Sequence, residues 1–275
     1  MTCGKLPFDC EYISSRKNRR ITDAAALSER KYRERTGLFS TEGAKLLGEL
    51  LRTDNIPCEV FFTERAAEQN PELLERTASR GAEMFLVTEE VAAKLSEEKA
   101  PQGVFATVRL PERKTFTPET VRNAGSGFIV LDSLQDPGNV GTVIRTAVSL
   151  GLSDIVLCGE CADIWSRKTL RGSMGAVFRA NISFCRDVCD CVRTITGAGK
   201  RIYAAALCDG AKSADSFEFG KTDSVLIGNE GHGLSDEAVS LCTDAVIIPM
   251  KNGMDSLNAG IAAAILIWKK STSIK

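Results

Sequence analysis

Leu226-Ile-Gly-Asn-Glu-Gly-His-Gly-Leu234 carries a short apolar run into a glycine-rich loop that holds an asparagine, a glutamate and the one histidine of the chain. Ile247-Ile-Pro-Met250 repeats the move, and Asp255-Ser-Leu-Asn258 follows it just before another apolar stretch. Upstream, Asp136-Pro-Gly-Asn-Val-Gly-Thr-Val-Ile-Arg145 comes soon after the apolar Phe128-Ile-Val-Leu131. Apolar runs that stop on small, polar residues mark the C-terminal ends of strands. In an open α/β sheet that edge is where ligands bind.

Working outward, strand signals recur at Asp154-Ile-Val-Leu-Cys158, Ala180-Asn-Ile-Ser-Phe184, Arg201-Ile-Tyr-Ala-Ala-Ala206, Ser224-Val-Leu-Ile227 and Ala245-Val-Ile-Ile248. Helical stretches separate them. One runs from Asn139 to Leu150, with Asp136, Pro137 and Gly138 as its opening turn and Gly151 as its stop. A last one runs from Ala259 to Lys270 and is apolar enough to pack on a sheet. Strands alternating with helices predict an α/β fold with a mostly parallel sheet covered on both faces. Residues 127–275 are assigned to this domain.

The first 109 residues read as a smaller α/β unit. Residues 20–55 look helical, broken at Thr36-Gly37, with Ala24 to Arg35 rich in helix formers. Strands are expected at Cys58-Glu-Val-Phe-Phe62, Glu83-Met-Phe-Leu-Val87 and Gly103-Val-Phe-Ala-Thr-Val-Arg109, and helices near 71–80 and 91–95. Residues 110–126 hold Pro111, Pro118 and Gly125-Ser-Gly127 with little apolar periodicity, and read as the linker.

The chain has 275 residues and a formal net charge of −1, so a nucleic-acid partner needs a local basic patch. Residues 16–35 supply one. Arg16, Lys17, Arg19, Arg20, Arg30, Lys31, Arg33 and Arg35 face only Asp23, Glu29 and Glu34, a surplus of five positive charges. Such a stretch is either a solvated helix face or a phosphate-contacting surface. No run of about 20 apolar residues offers a membrane span. The N-terminus lacks the apolar core of a signal peptide, so a cytoplasmic location is expected. Neither a phosphate-binding G-x-x-x-x-G-K-[ST] loop nor a G-x-G-x-x-G turn between strand and helix is present, which argues against P-loop and nicotinamide enzymes. Cys158 and Cys161 have zinc-site spacing, but the partners Cys185, Cys189 and Cys191 do not repeat it and no histidine lies near. Buried cysteines are the preferred reading, with no metal.

Asn139-Val-Gly-Thr-Val-Ile-Arg145, Gly228-Asn-Glu-Gly-His-Gly-Leu234 and Ile248-Pro-Met followed by Ser256-Leu-Asn258 occur in the order found in the SpoU (TrmH-like) family of SPOUT RNA ribose 2′-O-methyltransferases, which the chain resembles over about residues 127–270. Arg171-Gly-Ser-Met-Gly-Ala-Val-Phe178 fits the same family. Through Arg33-Glu-Arg-Thr-Gly-Leu-Phe-Ser-Thr-Glu-Gly43, the N-terminal half resembles the L30e-like substrate-binding domain of many members.

The resemblance implies a C-terminal trefoil knot and S-adenosylmethionine in the knotted loops, with Leu207, Gly228, Ile248 and Leu257 lining its pocket. It places Arg145 and Asn139 at the reacting ribose. Arginine is almost never deprotonated, so Arg145 is read mainly as a stabiliser of the developing alkoxide and a clamp on phosphate. Glu230 would orient Asn139 or Arg145, or bond the substrate, and Ser256 and Asn258 would hold the knot and the ribose. Bland alternatives exist: Asn139 and Ser256 as helix caps, Arg145 as a solvated residue, Glu230 as a turn residue. His232 is set aside as a base, because the family tolerates other residues there. Arg30, Lys31, Arg33 and Arg35 are the candidate RNA contacts. The expected partners are RNA, ribosomal in preference to transfer RNA, and a second copy of the chain in a homodimer, with no membrane and no DNA. A tRNA methyltransferase, a small-molecule methyltransferase and a non-catalytic RNA-binding protein on the same fold are the alternatives.

Overall fold

The computed structural model describes residues 6–250 and 257–273. The chain forms two compact units, one made of Met1–Pro111 with Trp165–Phe178, the other of Glu112–Ile164 with Arg179–Lys275.

The first unit holds β1 (Glu11–Ile13), α1 (Arg19–Ala26), α2 (Arg30–Thr36), β2 (Leu38–Glu42), α3 (Ala44–Leu50), β3 (Pro57–Phe62), α4 (Glu64–Gln69), α5 (Pro71–Ser79), β4 (Glu83–Val87), α6 (Glu89–Leu95) and β5 (Val104–Arg109). Its sheet runs β1-β4-β3-β5-β2, with β2 and β5 antiparallel and β3 and β4 parallel. Ile21, Phe61, Phe85, Val91 and Phe105 centre one of its cores. The Phe61 and Phe85 rings stack at 5.1 Å.

Two features depart from the sequence reading. The helix expected over Ala24 to Arg35 is two helices, separated at Leu27 to Glu29. The region read as helical also contains the strand β2. Phe39, Ser40, Thr41 and Glu42 are all buried, so β2 has no alternation to betray it. One cover comes from far along the chain. Phe39 packs on Trp165 and Phe178 at ring distances of 4.7 and 6.2 Å, and the buried Arg167 donates from Nε to Ser40 Oγ at 3.0 Å.

The second unit holds β6 (Lys114–Thr115), α7 (Pro118–Asn123), β7 (Ile129–Asp132), α8 (Pro137–Ser149), β8 (Asp154–Cys158), β9 (Asn181–Cys185), α10 (Val188–Gly197), β10 (Ile202–Ala205), β11 (Lys212–Ser213), β12 (Ser224–Ile227), α11 (Asp236–Leu241), β13 (Asp244–Ile247) and α12 (Ala259–Ser273). The intervening α9 (Arg167–Ser173) belongs to the first unit. The sheet order is β11-β13-β10-β12-β7-β8-β9-β6, and every one of these pairs is parallel. The central strands β7, β8, β10 and β12 are short, apolar and buried on both faces, as parallel sheets require, and the edge strands β6 and β11 are polar. Val130, Val156, Leu226 and Ile202 form a core with Val192 and Ile195 of α10. Burying such a side chain contributes about 1.5–3 kcal/mol.

The stretch 110–126 carries structure of its own. β6 pairs with β9, and α7 opens on a reciprocal Thr117/Thr120 capping box. Phe116 and Val121 enter the core.

α12 is apolar on most sides and packs on α8 and β12. It also buries Lys270 completely, with Nζ donating to the Lys221 carbonyl at 3.2 Å. Burial pushes the Lys270 ammonium down to about 8, with Asp223 opposing the shift. A lysine in the unfolded chain titrates near 10.4. Between these values the unfolded state binds more protons, so stability rises with pH there. Replacing Lys270 with Met should therefore stabilise the protein at pH 7. The Lys221 carbonyl keeps the Gly127 amide as a partner. Urea denaturation should show the gain over wild type shrinking as pH rises from about 8 towards 10. A gain independent of pH would show that the ammonium carries no burial cost.

Candidate functional site

The C-terminal ends of β7, β10, β12 and β13 come together on one edge of the second sheet. α8 begins there. Its N-cap is Asp136, whose Oδ1 accepts from the Asn139 amide at 2.8 Å, and Pro137 occupies the first turn. Pro at this position wastes no amide, because the first helical N–H groups have no intrahelical partner. Asn139 is thus not the cap, and its side chain is available for other work.

That work is a bond to Glu230. Asn139 Nδ2 donates to Glu230 Oε1 at 2.9 Å, and the backbone amides of Asp136 and Gln135 donate to the same carboxylate at 3.2 and 3.3 Å. Burial pushes the Glu230 carboxyl up. The hydrogen bonds from Asn139 and from backbone amides outweigh it and hold the group below its usual range. Glu230 is therefore an anion fixed on the positive end of α8.

Asn229 makes a second link between the same loops. Its Nδ2 donates to the Ser133 carbonyl at 2.7 Å, and its Oδ1 accepts from the amides of Gly231 and His232 at 2.8 and 3.2 Å. Ser133 is in the left-handed region at φ 52°, which suits a carbonyl held from outside the strand. The sequence reading passed over Asn229. The available signal was an Asn followed two residues later by Gly in a loop, the pattern of an Asx turn.

Beside these links lies a cavity of about 630 Å³. Leu207, Gly228, Ile248 and Leu257 all line it, together with Glu230 and Asn258. Leu207 is 67% exposed and forms part of the rim. A Cβ at Gly228 would lie 2.7 Å from the Gly233 backbone, so only glycine lets the two limbs of this loop meet. Asn258 Oδ1 accepts from the amides of Gly260 and Ile261 and so opens α12. A Cβ at Gly260 would stand 3.0 Å from Asn139 Oδ1 and 3.2 Å from Asn258 Oδ1, which places both side chains against this glycine. His232 lines the cavity as well. Ser256 lies outside the described residues.

The structure thus brings Asn139, Glu230 and Asn258 together, but not Arg145. Six residues after Asn139, Arg145 points from a different side of α8, about 240° around its axis. It is exposed and does not line the cavity.

The candidate RNA contacts also divide. Lys31 and Arg35 are exposed, and Arg35 stacks over the Tyr32 ring at 4.4 Å. Arg30 is exposed and pairs with Glu34 at 2.8 Å. Arg33 is only 4% exposed, and its NH1 donates to the carbonyls of Leu27 and Ser28, both at 2.7 Å. It ties α2 to the turn before it, and that corrects its assignment as a phosphate contact. Arg20 is similarly occupied, bridging Glu59 and Glu83 at 2.7 and 2.9 Å. Cys158, Cys189 and Cys191 sit in the apolar core.

Residues 126–268 match the SpoU rRNA Methylase family, and residues 18–106 match the MRM3-like substrate binding domain. The chain is 32% identical over 257 residues to the 23S rRNA (guanosine(2553)-2'-O)-methyltransferase RlmP of Bacillus subtilis, covering 93% of this chain and 97% of that protein. It is 29% identical to a 23S rRNA (uridine(2479)-2'-O)-methyltransferase of Streptomyces viridochromogenes, covering 94% and 90%. Among solved structures, an AdoMet-bound rRNA methyltransferase from Sinorhizobium meliloti aligns with a TM-score of 0.82 at 29% identity, over 94% of this chain and 97% of that one.

Proposed function

We infer that this chain, which belongs to the SpoU rRNA Methylase family, is an S-adenosylmethionine-dependent enzyme that methylates a ribose 2′-hydroxyl of ribosomal RNA. One observation carries the reading: a cavity at the strand ends, lined by apolar residues together with Glu230 and Asn258, lies against Asn139, and Glu230 and Asn229 lock the loops in place. The cavity suits a nucleoside-sized cofactor. Its lining includes strand ends and loop backbone, and the glycine at 228 lets the two limbs of the 228–234 loop close beside it. Leu207, Gly228, Ile248 and Leu257 would hold S-adenosylmethionine, which supplies a methyl group already activated on a sulfonium.

The remaining task is to align the ribose oxygen and relieve it of its proton. Asn139 is aimed by Glu230 and positions the hydroxyl. Asn258, and Ser256 on the same reading, hold the ribose and the cofactor loop. Arg145 stays protonated, grips an adjacent phosphate and stabilises the alkoxide as it forms. The C-terminal strands are read as threaded into a trefoil knot. Supporting this, β10 lies between β12 and β13 in the sheet, and α12 returns to pack on α8.

The first unit is read as the RNA-holding part. The matched substrate-binding domain and the exposed Arg30, Lys31 and Arg35 support this. A cytoplasmic location is part of the same proposal. Among the described residues, no helix is long and apolar enough to cross a membrane.

The enzyme is proposed to work as a homodimer. Arg145 does not reach its own cavity lining, and α12 exposes Ile261 at 53% and Trp268 at 57%, seven residues apart and so on one face. Light scattering at micromolar concentration should give twice the chain mass, and a stable monomer would overturn the assignment.

Replacing Arg145 with Ala should cut methyl transfer on the order of 100- to 1000-fold. Cofactor affinity measured by calorimetry should stay near wild type, since Arg145 is placed on the RNA side. Near-normal turnover would remove Arg145 from the mechanism. Replacing Arg30, Lys31 and Arg35 together with Ala should weaken RNA binding. It should also flatten the plot of log affinity against log salt by roughly 0.7–0.9 for each phosphate that is no longer neutralised. An unchanged slope would make these three residues a solvated face.

A further inference from the structure

Three cysteines meet inside the second unit. Cys158 ends β8, Cys185 ends β9, and the two are register partners on adjacent parallel strands. Cys191 lies one turn into α10, in the same apolar cluster as Cys158, and Cys185 packs against that cluster. Thiol–thiol contacts join all three.

The three are not equivalent. Cys158 and Cys191 are sealed from solvent, whereas Cys185 is half-buried at the end of its strand, beside the exposed Arg186. When protonated, Cys185 has an acceptor in the Asp187 carbonyl at 3.2 Å. Hydrogen bonds from Cys158 and Cys191 nevertheless hold its thiol well below the usual range, against the opposing effect of burial. The same contact with Cys185, and burial, push Cys158 up. A thiolate that solvent can reach, backed by buried thiols, is the arrangement of a redox-sensitive site.

We propose that Cys185 is an oxidation site for peroxides and that Cys191 resolves it as an intramolecular disulfide. The Cys185 thiolate attacks one peroxide oxygen. The S–O bond forms, the O–O bond breaks, and the displaced oxyanion takes a proton from solvent. The Cys191 sulfur then attacks the Cys185 sulfur, and its proton goes to the departing hydroxide. The S–S bond forms, the S–O bond breaks, and water leaves. Two thiols lose two electrons in all, and one peroxide is reduced.

Cys191 is the resolving partner, and not Cys158, for a geometric reason. Register partners on adjacent parallel strands project their Cα–Cβ bonds side by side from the sheet rather than towards each other, whereas a disulfide needs the two Cβ atoms turned together to about 3.8 Å. Cys191 comes from α10, which packs on the same cluster, and its thiol touches that of Cys185 from outside the sheet.

The full chain would be treated with limiting hydrogen peroxide, its remaining thiols alkylated, and its peptides mapped by mass spectrometry. The expected result is the loss of two alkylatable thiols, Cys185 and Cys191, recovered as one cross-linked peptide pair. The exposed Cys208 should remain alkylatable. In Cys191→Ser, Cys185 should accumulate as a sulfenic acid trapped by dimedone. In Cys185→Ser, a milder change at a half-buried position, Cys191 should stay reduced. Oxidation of Cys208 ahead of Cys185, or a Cys158–Cys185 link in place of Cys185–Cys191, would overturn the proposal.

Discussion

The second unit depends on one carboxylate. Glu230 accepts from Asn139 and from two backbone amides at the start of α8, and Asn229 beside it holds the Ser133 carbonyl. Two loops more than 90 residues apart in sequence are joined by these adjacent side chains. The positive end of α8 favours an anion there, and the hydrogen bonds keep Glu230 ionised. The link fixes the direction of the Asn139 side chain and shapes one wall of the cavity.

Arginine shows how tertiary context assigns a residue its task. Arg33 caps the carbonyls of Leu27 and Ser28, Arg20 bridges two glutamates, and Arg167 reaches Ser40 across more than a hundred residues of sequence. Arg145, Lys31 and Arg35 remain exposed. Read along the chain, these are interchangeable positive charges. Folded, Arg33 and Arg167 satisfy buried acceptors, Arg20 is held in a partly exposed ion-pair bridge, and the second group remains open to a ligand.

The cysteines and Lys270 follow the same logic. Cys158 and Cys191 behave as small apolar residues in the core, while Cys185, in register with Cys158, stays within reach of solvent. Lys270 is a buried ammonium near the polar end of a helix whose first ten residues are apolar, and it donates to one carbonyl. Both features are compatible with a stable fold because the surrounding sheet buries far more apolar surface than they cost.

The parallel sheet was legible because its strands announce themselves locally. Asp154–Cys158 and Ser224–Ile227 are apolar runs bounded by polar turns, and the structure keeps those bounds. The strand-end loops around Gly228, Ile248 and Asn258 were legible for the same reason, since loss of apolar character marks the edge of a buried strand. What the sequence could not reveal was set by contacts remote along the chain. β2 is hidden because Trp165, Arg167 and Phe178 cover it, and this erases the alternation that would have exposed it. Arg33 was indistinguishable from Arg30 until the fold turned one inward and left the other outside. Periodicity reports how each segment meets its nearest surroundings. Which distant segment supplies those surroundings, and which polar group is thereby desolvated and must find a partner, is decided only when the chain closes on itself.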